Sequence, residues 1–274
     1  MTKSRSLLLW IISGFLMFMT AYYQRTTGPT YEMKGKTVVD NKVIKYVLPR
    51  SAETGKGAQI KIDVPDQGVI GIITTRRFRS NDEWTSEIMK RDGDVLSASL
   101  RELKSAGKMM YKVTLVSKGK RYDINTKPTI LRYKDHVPMG IVYPHVILIF
   151  VTLIFVFRSG FEAYYKGPKA YSLAFNTMML MILGGMIFGP LMQYYAFGAL
   201  WTGWPFGHDL TDNKTLIALL SWVLAWWKLR KDPTNTKWAL IAAIVTFAIY
   251  MVPHSVLGSE IDYTKTEAIK TSLL

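Results

Sequence analysis

The sequence predicts a multi-pass α-helical membrane protein with five transmembrane helices and an inserted all-β sandwich domain. Three observations lead there. Hydrophobic residues fill 49% of the 274 positions while Lys and Arg (35) far outnumber Asp and Glu (20), so apolar and charged positions must be segregated along the chain. Five apolar runs hold almost no charge, whereas the 114 residues from Gln24 to Val137 hold +10 of the net +15. That hydrophilic stretch alternates apolar and polar residues with the period of a strand. Cysteine is absent, which excludes disulfides, thiolate metal sites, iron–sulfur clusters and cysteine nucleophiles.

The first run, Leu7 to Tyr23, follows Lys3 and Arg5. At about 1.5 Å per residue it crosses most of a roughly 30 Å hydrocarbon layer. No A-x-A-like site of small residues ends it, so residues 1–23 read as an uncleaved signal anchor. Four further runs, Pro138 to Phe157, Tyr171 to Tyr195, Thr215 to Trp227 and Trp238 to Val252, predict a four-helix membrane domain over 138–255 and a tail over 256–274. The last two runs are short; flanking Trp226, Trp227, Lys228 and Trp238 extend them into the interface, with a hairpin that dips only part-way as the alternative.

Orientation follows from Lys and Arg in the short loops. With the N-terminus inside, the inner segments hold Lys3, Arg5, Arg158, Lys166, Lys169, Lys228, Arg230, Lys231 and Lys237, against Lys214, Lys265 and Lys270 outside. The expectation is a cytoplasmic N-terminus, with the β domain and the C-terminus extracytoplasmic, in the periplasm. A domain-sized insert crosses regardless of its own charge.

Within residues 24–137, Ile60, Ile62 and Val64 alternate with Lys61 and Asp63, Val69 to Ile73 forms a compact apolar run, and Tyr111, Val113 and Leu115 alternate with Lys112 and Thr114. Turn signals at Asp40-Asn41, Pro65 to Gly68, Ser80 to Asp82, Arg91 to Gly93, Ser105 to Gly107 and Ser117 to Gly119 separate them. Roughly seven antiparallel strands result. The stretches VIGIITTRRFRSNDEW (69–84), VLSASL (95–100) and GKMMYKVTL (107–115) resemble strands of fibronectin-III or immunoglobulin-like domains. That resemblance implies a sandwich and no particular function.

The basic-aromatic cluster Arg76-Arg77-Phe78-Arg79 is the candidate partner-binding surface, with Arg77 and Arg79 expected on one strand face and Arg76 and Phe78 on the other. For a domain held outside a membrane, anionic headgroups, acidic polysaccharide or an acidic protein fit such charge; nucleic acid is not expected.

All four histidines, His136, His145, His208 and His254, fall on or near the outer side of this topology. His145 and His254, on different helices, are candidate axial ligands for haem b; His208, Asp209, Asp212 and His254 are a candidate divalent-metal set. The ordinary alternative is interfacial hydrogen bonding. The loop Leu200 to Thr215, rich in Gly, Pro and Trp, reads either as an interfacial loop whose Asp212 or Asn213 caps the next helix, or as a lid over a site with His254, Ser255 and Glu260. Gly185 and Gly189 form a G-x-x-x-G that suits helix packing inside the bundle or a homodimer face.

No phosphate-binding loop, nucleophile elbow or paired-carboxylate arrangement appears, and the spans hold almost no charge. The expectation is a non-enzymatic protein in the bilayer that presents a basic β domain for partner binding or envelope-complex assembly. The alternative is a haem- or metal-binding redox subunit.

Overall fold

The computed structural model describes residues 2–253, 256, 258 and 260–265. The chain divides into two compact units, one of residues 1–29 and 137–258 and the other of residues 30–136 and 259–274.

The helical unit contains α1 (Lys3–Thr27), α2 (Met139–Tyr164), α3 (Ala170–Met181), α4 (Gly189–Phe197), α5 (Leu210–Lys231) and α6 (Lys237–Tyr250). Between α3 and α4 the rod continues through a π-helical segment, Ile182–Phe188. Three helices, Lys3–Thr27, Met139–Tyr164 and Ala170–Phe197, are long and apolar enough to cross a membrane, and α6 is a shorter apolar helix.

Small residues bring these helices together. A Cβ on Gly160 would meet Ala243 Cβ at 2.9 Å, one on Gly184 would meet Leu148 Cβ at 2.9 Å, and one on Gly185 would meet Thr215 Cγ2 at 2.7 Å. Trp222, fully buried, donates its indole N–H to Thr246 Oγ1 (2.9 Å), and Ser159 bonds Thr177 (3.0 Å), so α5–α6 and α2–α3 are joined by polar contacts in an apolar interior. The helices share two ends. At one end Arg5 stacks on Tyr165 (3.9 Å), Thr236 bonds Ala163 O (2.9 Å) and Trp226 bonds Tyr171 (3.3 Å). At the other, Gln24 bonds the carbonyls of Tyr250 and Val252, and Lys214 Nζ bonds Val252 O at 2.7 Å.

The β unit holds eleven strands in three sheets among the described residues, more than the seven expected, because short edge pieces add to the main ladders. A hairpin pairs β1 (Met33–Val39) with β2 (Lys42–Leu48). A six-stranded sheet runs β3 (Ser51–Glu53), β11 (Thr129–Lys134), β9 (Lys108–Ser117), β5 (Ile70–Arg77), β6 (Thr85–Ile88), with β10 (Lys120–Asp123) also on β9. A three-stranded sheet runs β4 (Ala58–Asp63), β8 (Val95–Leu100), β7 (Lys90–Asp92). Inward residues of all three, among them Ile44, Leu48, Ile60, Ile62, Ile73, Leu96, Val113, Leu115 and Leu131, form one core, an arrangement compatible with a sandwich.

Turn chemistry fixes the registers. Asp40 (φ 45°) and Asn41 (φ 64°) close β1–β2 as a two-residue turn with both centres left-handed, and Lys118 (φ 49°) and Gly119 (φ 75°) close β9–β10 likewise. Asp40 then accepts from Ser117 Oγ (2.7 Å) and Tyr122 OH (3.0 Å), so one turn tip is fastened to the next hairpin. On one side of β9 the pairing passes from β10, at Thr114 to Ser117, to β11, at Lys108 to Tyr111. Buried Asn125 fills the gap: Oδ1 accepts from Val113 N (2.8 Å) and Nδ2 donates to Tyr111 O (3.0 Å), Lys127 O (3.2 Å) and Thr129 Oγ1 (3.1 Å).

Two expectations about charge are corrected. Arg158 is not in an inner loop, because α2 runs on to Tyr164. Helix α2, expected to hold almost no charge, also carries a buried pair: Arg158 and Glu162, at i and i+4, are 1% and 0% exposed and lie 2.8 Å apart. The expected facing of Arg77 with Arg79 also fails, since β5 ends at Arg77 and Arg79 (φ 50°) has turned out of the strand.

Candidate functional site

Strand alternation builds the exposed face of the six-stranded sheet. On β5, Ile73 points to the core, so Ile72, Thr74 and Arg76 point outward; their partners on β9 are Thr114, Lys112 and Met110. Trp84, just before β6, lies over this face and is 37% exposed. Arg76 stands 4.9 Å and Lys112 Nζ 5.7 Å from the Trp84 ring centroid. A cation at this distance from an indole face gains about 0.5–1 kcal/mol at an exposed site. Among the described residues neither Arg76 nor Lys112 forms a salt bridge with a carboxylate. Their charge is thus held on a rigid aromatic platform without being neutralised. The arrangement can receive an anionic group with an apolar or planar portion.

The other two arginines of the sequence cluster are engaged inside the chain. Arg77 grips Asp82 through Nε–Oδ2 and Nη2–Oδ1, both 2.6 Å, and these bonds hold the Asp82 carboxyl below the usual carboxylate range. Arg79 Nη1 lies 2.8 Å from Glu260 Oε1, and Lys108 takes the other oxygen of Glu260. The sequence singles out Arg76, and only the sheet register reveals that Lys112 and Trp84 stand beside it.

Two of the four candidate metal residues, Asp209 and Asp212, accept hydrogen bonds from backbone amides. Asp209 caps α5, accepting from Thr211 N (2.8 Å). Asp212, in the first turn, accepts from Thr202 N (2.7 Å) and Gly203 N (2.9 Å), while Asn213 accepts from Trp204 N (2.7 Å). These two therefore hold the 200–209 loop, and the capping expected of one of them falls to Asp209. His208 is exposed. Glu260, which the lid reading joined to this loop, pairs in the β unit. Among the described residues no three His, Asp or Glu side chains are arranged to hold a metal ion, and His254 lies outside the described residues together with Ser255.

His145 donates from Nδ1 to Gly184 O (3.0 Å), the carbonyl that also receives Gly189 N across the π-helical segment. That bond leaves the lone pair on Nε2. The second ligand of the haem expectation, His254, is not among the described residues. Of the two glycines of the G-x-x-x-G, Gly185 packs on Thr215 within the chain, whereas a Cβ on Gly189 would meet nothing closer than Gly184 O at 3.8 Å.

Sequence reasoning missed the buried ion pair of Arg158 and Glu162. Besides Glu162, Arg158 reaches Ser6 Oγ (3.3 Å) and stands 5.5 Å from the Trp10 ring; Glu162 Oε1 accepts from Lys169 N at 3.1 Å. The pair therefore joins α1, α2 and the start of α3. Its signal was present as Arg-x-x-x-Glu continuing an apolar run, the i,i+4 spacing that puts both on one helix face. Compared with family models, curated proteins and solved structures, the chain shows no match to any of them.

Proposed function

We propose that this protein is a non-enzymatic multi-pass membrane protein that presents its basic β domain outside the cytoplasm, in the periplasm, to bind an anionic partner in a membrane or envelope complex. The observation that carries this reading is the Arg76–Trp84–Lys112 ladder on the outer face of the six-stranded sheet, with two cations on one half-exposed indole.

The reading takes the three long apolar helices as crossings and adds α5 and α6 as two more. At about 1.5 Å per residue the 22 residues of α5 extend about 33 Å and the 14 of α6 about 21 Å. Gln24 and Lys214 tie the end of α1 and the start of α5 to the end of α6. For the β unit we favour an immunoglobulin-like sandwich, in which buried Tyr111 plays an anchoring part through Pro49 O (2.7 Å). Half-exposed Trp84 departs from the buried tryptophan usual in such folds.

A photo-crosslinking residue at position 84, in cells, tests the binding role. The expected result is a discrete adduct that disappears when Arg76→Glu and Lys112→Glu are introduced together. Recovery of the uncrosslinked chain alone overturns the reading.

A further inference from the structure

We infer that the end of β5, where Arg77, Phe78, Arg79 and Lys108 meet the Ala106–Gly107 turn, is a binding site for an acidic, tyrosine-bearing peptide segment of a partner protein, now occupied by this chain's own residues 260–264. The site is separate from the Arg76–Trp84–Lys112 face and does not depend on that reading.

Its parts are held in place without the segment. Phe78 N–H bonds Lys108 O (2.9 Å), Ser80 Oγ bonds Arg77 O (2.9 Å), and Asp82 fixes the plane of the Arg77 guanidinium. Two residues that are not glycine adopt left-handed backbone here, Arg79 (φ 50°) and Ala106 (φ 63°). Each costs on the order of 1 kcal/mol or more, and such residues cluster where a ligand is clamped. The carbonyls of these same two residues receive the segment: Thr264 N–H bonds Arg79 O (3.2 Å) and Ile261 N–H bonds Ala106 O (3.3 Å).

Side chains supply the chemistry of recognition. Glu260 is gripped between Arg79 (2.8 Å) and Lys108, both of which also lie against the Phe78 ring. The ring of Tyr263 receives the Arg77 guanidinium at 4.5 Å. Its hydroxyl lies 2.8 Å from where a Cβ on Gly107 would fall, over a turn whose own Lys104 O (2.7 Å) and Leu103 Cβ (2.8 Å) crowd the same point. Asp262 folds the segment by accepting from Thr264 N (3.1 Å) and Thr264 Oγ1 (2.5 Å). The pattern read by the site is thus a carboxylate three residues before an aromatic ring, with one backbone N–H between them and one after them donated to the site. A tethered occupant competes at an effective concentration near millimolar, so a partner must bind more tightly or act where the segment is released.

The test uses the full membrane protein in detergent, either ended after residue 258 or carrying Glu260→Lys with Tyr263→Ala at full length. The probe is a fluorescein-labelled synthetic peptide of residues 258–266, read by anisotropy. Both forms should bind it saturably, and the wild type at least tenfold more weakly. Binding should vanish with Arg79→Glu and Lys108→Glu in the protein, or with Tyr263→Ala in the peptide. Absence of binding by both released forms, with thermal unfolding like that of the wild type, overturns the proposal. So does a wild-type dimer that truncation dissolves, because the occupant is then the tail of a second copy.

Discussion

Removing one member of the Arg158–Glu162 pair should be the most damaging single change in the helical unit. Charges 2.8 Å apart attract by about 6 kcal/mol at an effective dielectric of 20, before desolvation is subtracted. The pair exists only because that attraction, with Ser6 and the Lys169 amide, offsets the desolvation of two groups that are at most 1% exposed. Arg158→Met leaves a buried carboxylate without its counter-charge and should cost about 3–5 kcal/mol; Glu162→Met leaves the guanidinium and should cost about the same. Replacing both removes both desolvation terms and supplies apolar volume of similar shape, so the double variant should lie within about 2 kcal/mol of wild type. Reversible unfolding in mixed micelles, followed by tryptophan emission, gives the four corners of the cycle. Single variants within 1 kcal/mol of wild type, or a double variant as unstable as the sum of the singles, refute the reasoning.

Four further outcomes are expected. Asn125→Leu should destabilise the β unit by about 2–4 kcal/mol in thermal or urea unfolding, because Val113 N and Tyr111 O lose a partner in the gap between β10 and β11; a loss below 1 kcal/mol contradicts the bridging role. Acid should weaken the β unit: Asp82, held down by its bonds to Arg77, and Asp40, held down chiefly by Ser117 and then by Tyr122, have folded pKa values below their unfolded ones. Their stabilisation is complete above about pH 4 and is lost as pH falls through the lower folded values, so melting temperature should drop there and Asp82→Asn should flatten the drop. Purified protein should be colourless without stoichiometric metal by elemental analysis, whereas a Soret band abolished by His145→Ala would establish the haem alternative. Alkaline-phosphatase fusions after Lys169 and Lys231 should be inactive; activity at either would reverse the inside assignment at that loop.

Much of the fold is legible because the governing physics is local. A 25-residue helix over the first apolar run and the left-handed turn at Asp40-Asn41 follow from hydropathy and backbone sterics within a few residues. The length of α2 is not legible in that way. Arg158 looks like the end of a span because an isolated charge is costly there, and only Glu162 one turn on, with Ser6 and Trp10 from a helix about 150 residues earlier in the chain, makes burial tolerable.

The candidate site divides along the same line. Arg76, Arg77 and Arg79 stand out as a cluster in the sequence, yet they have three different fates. Strand pairing sets Arg76 beside Lys112 and Trp84, a local turn gives Arg77 to Asp82, and a segment over 180 residues away gives Arg79 to Glu260. Likewise Asp209 and Asp212 look like ligands by residue type, and their carboxylates are consumed by amides that become neighbours only once the 200–209 loop has folded back on α5.

By itself the sequence determined where apolar helices and alternating strands would form, since periodicity and the separation of charge from grease act residue by residue. Tertiary structure alone decided which charges are paired, because an ion pair depends on distance in space and its partners here lie anywhere from two to more than 180 residues apart.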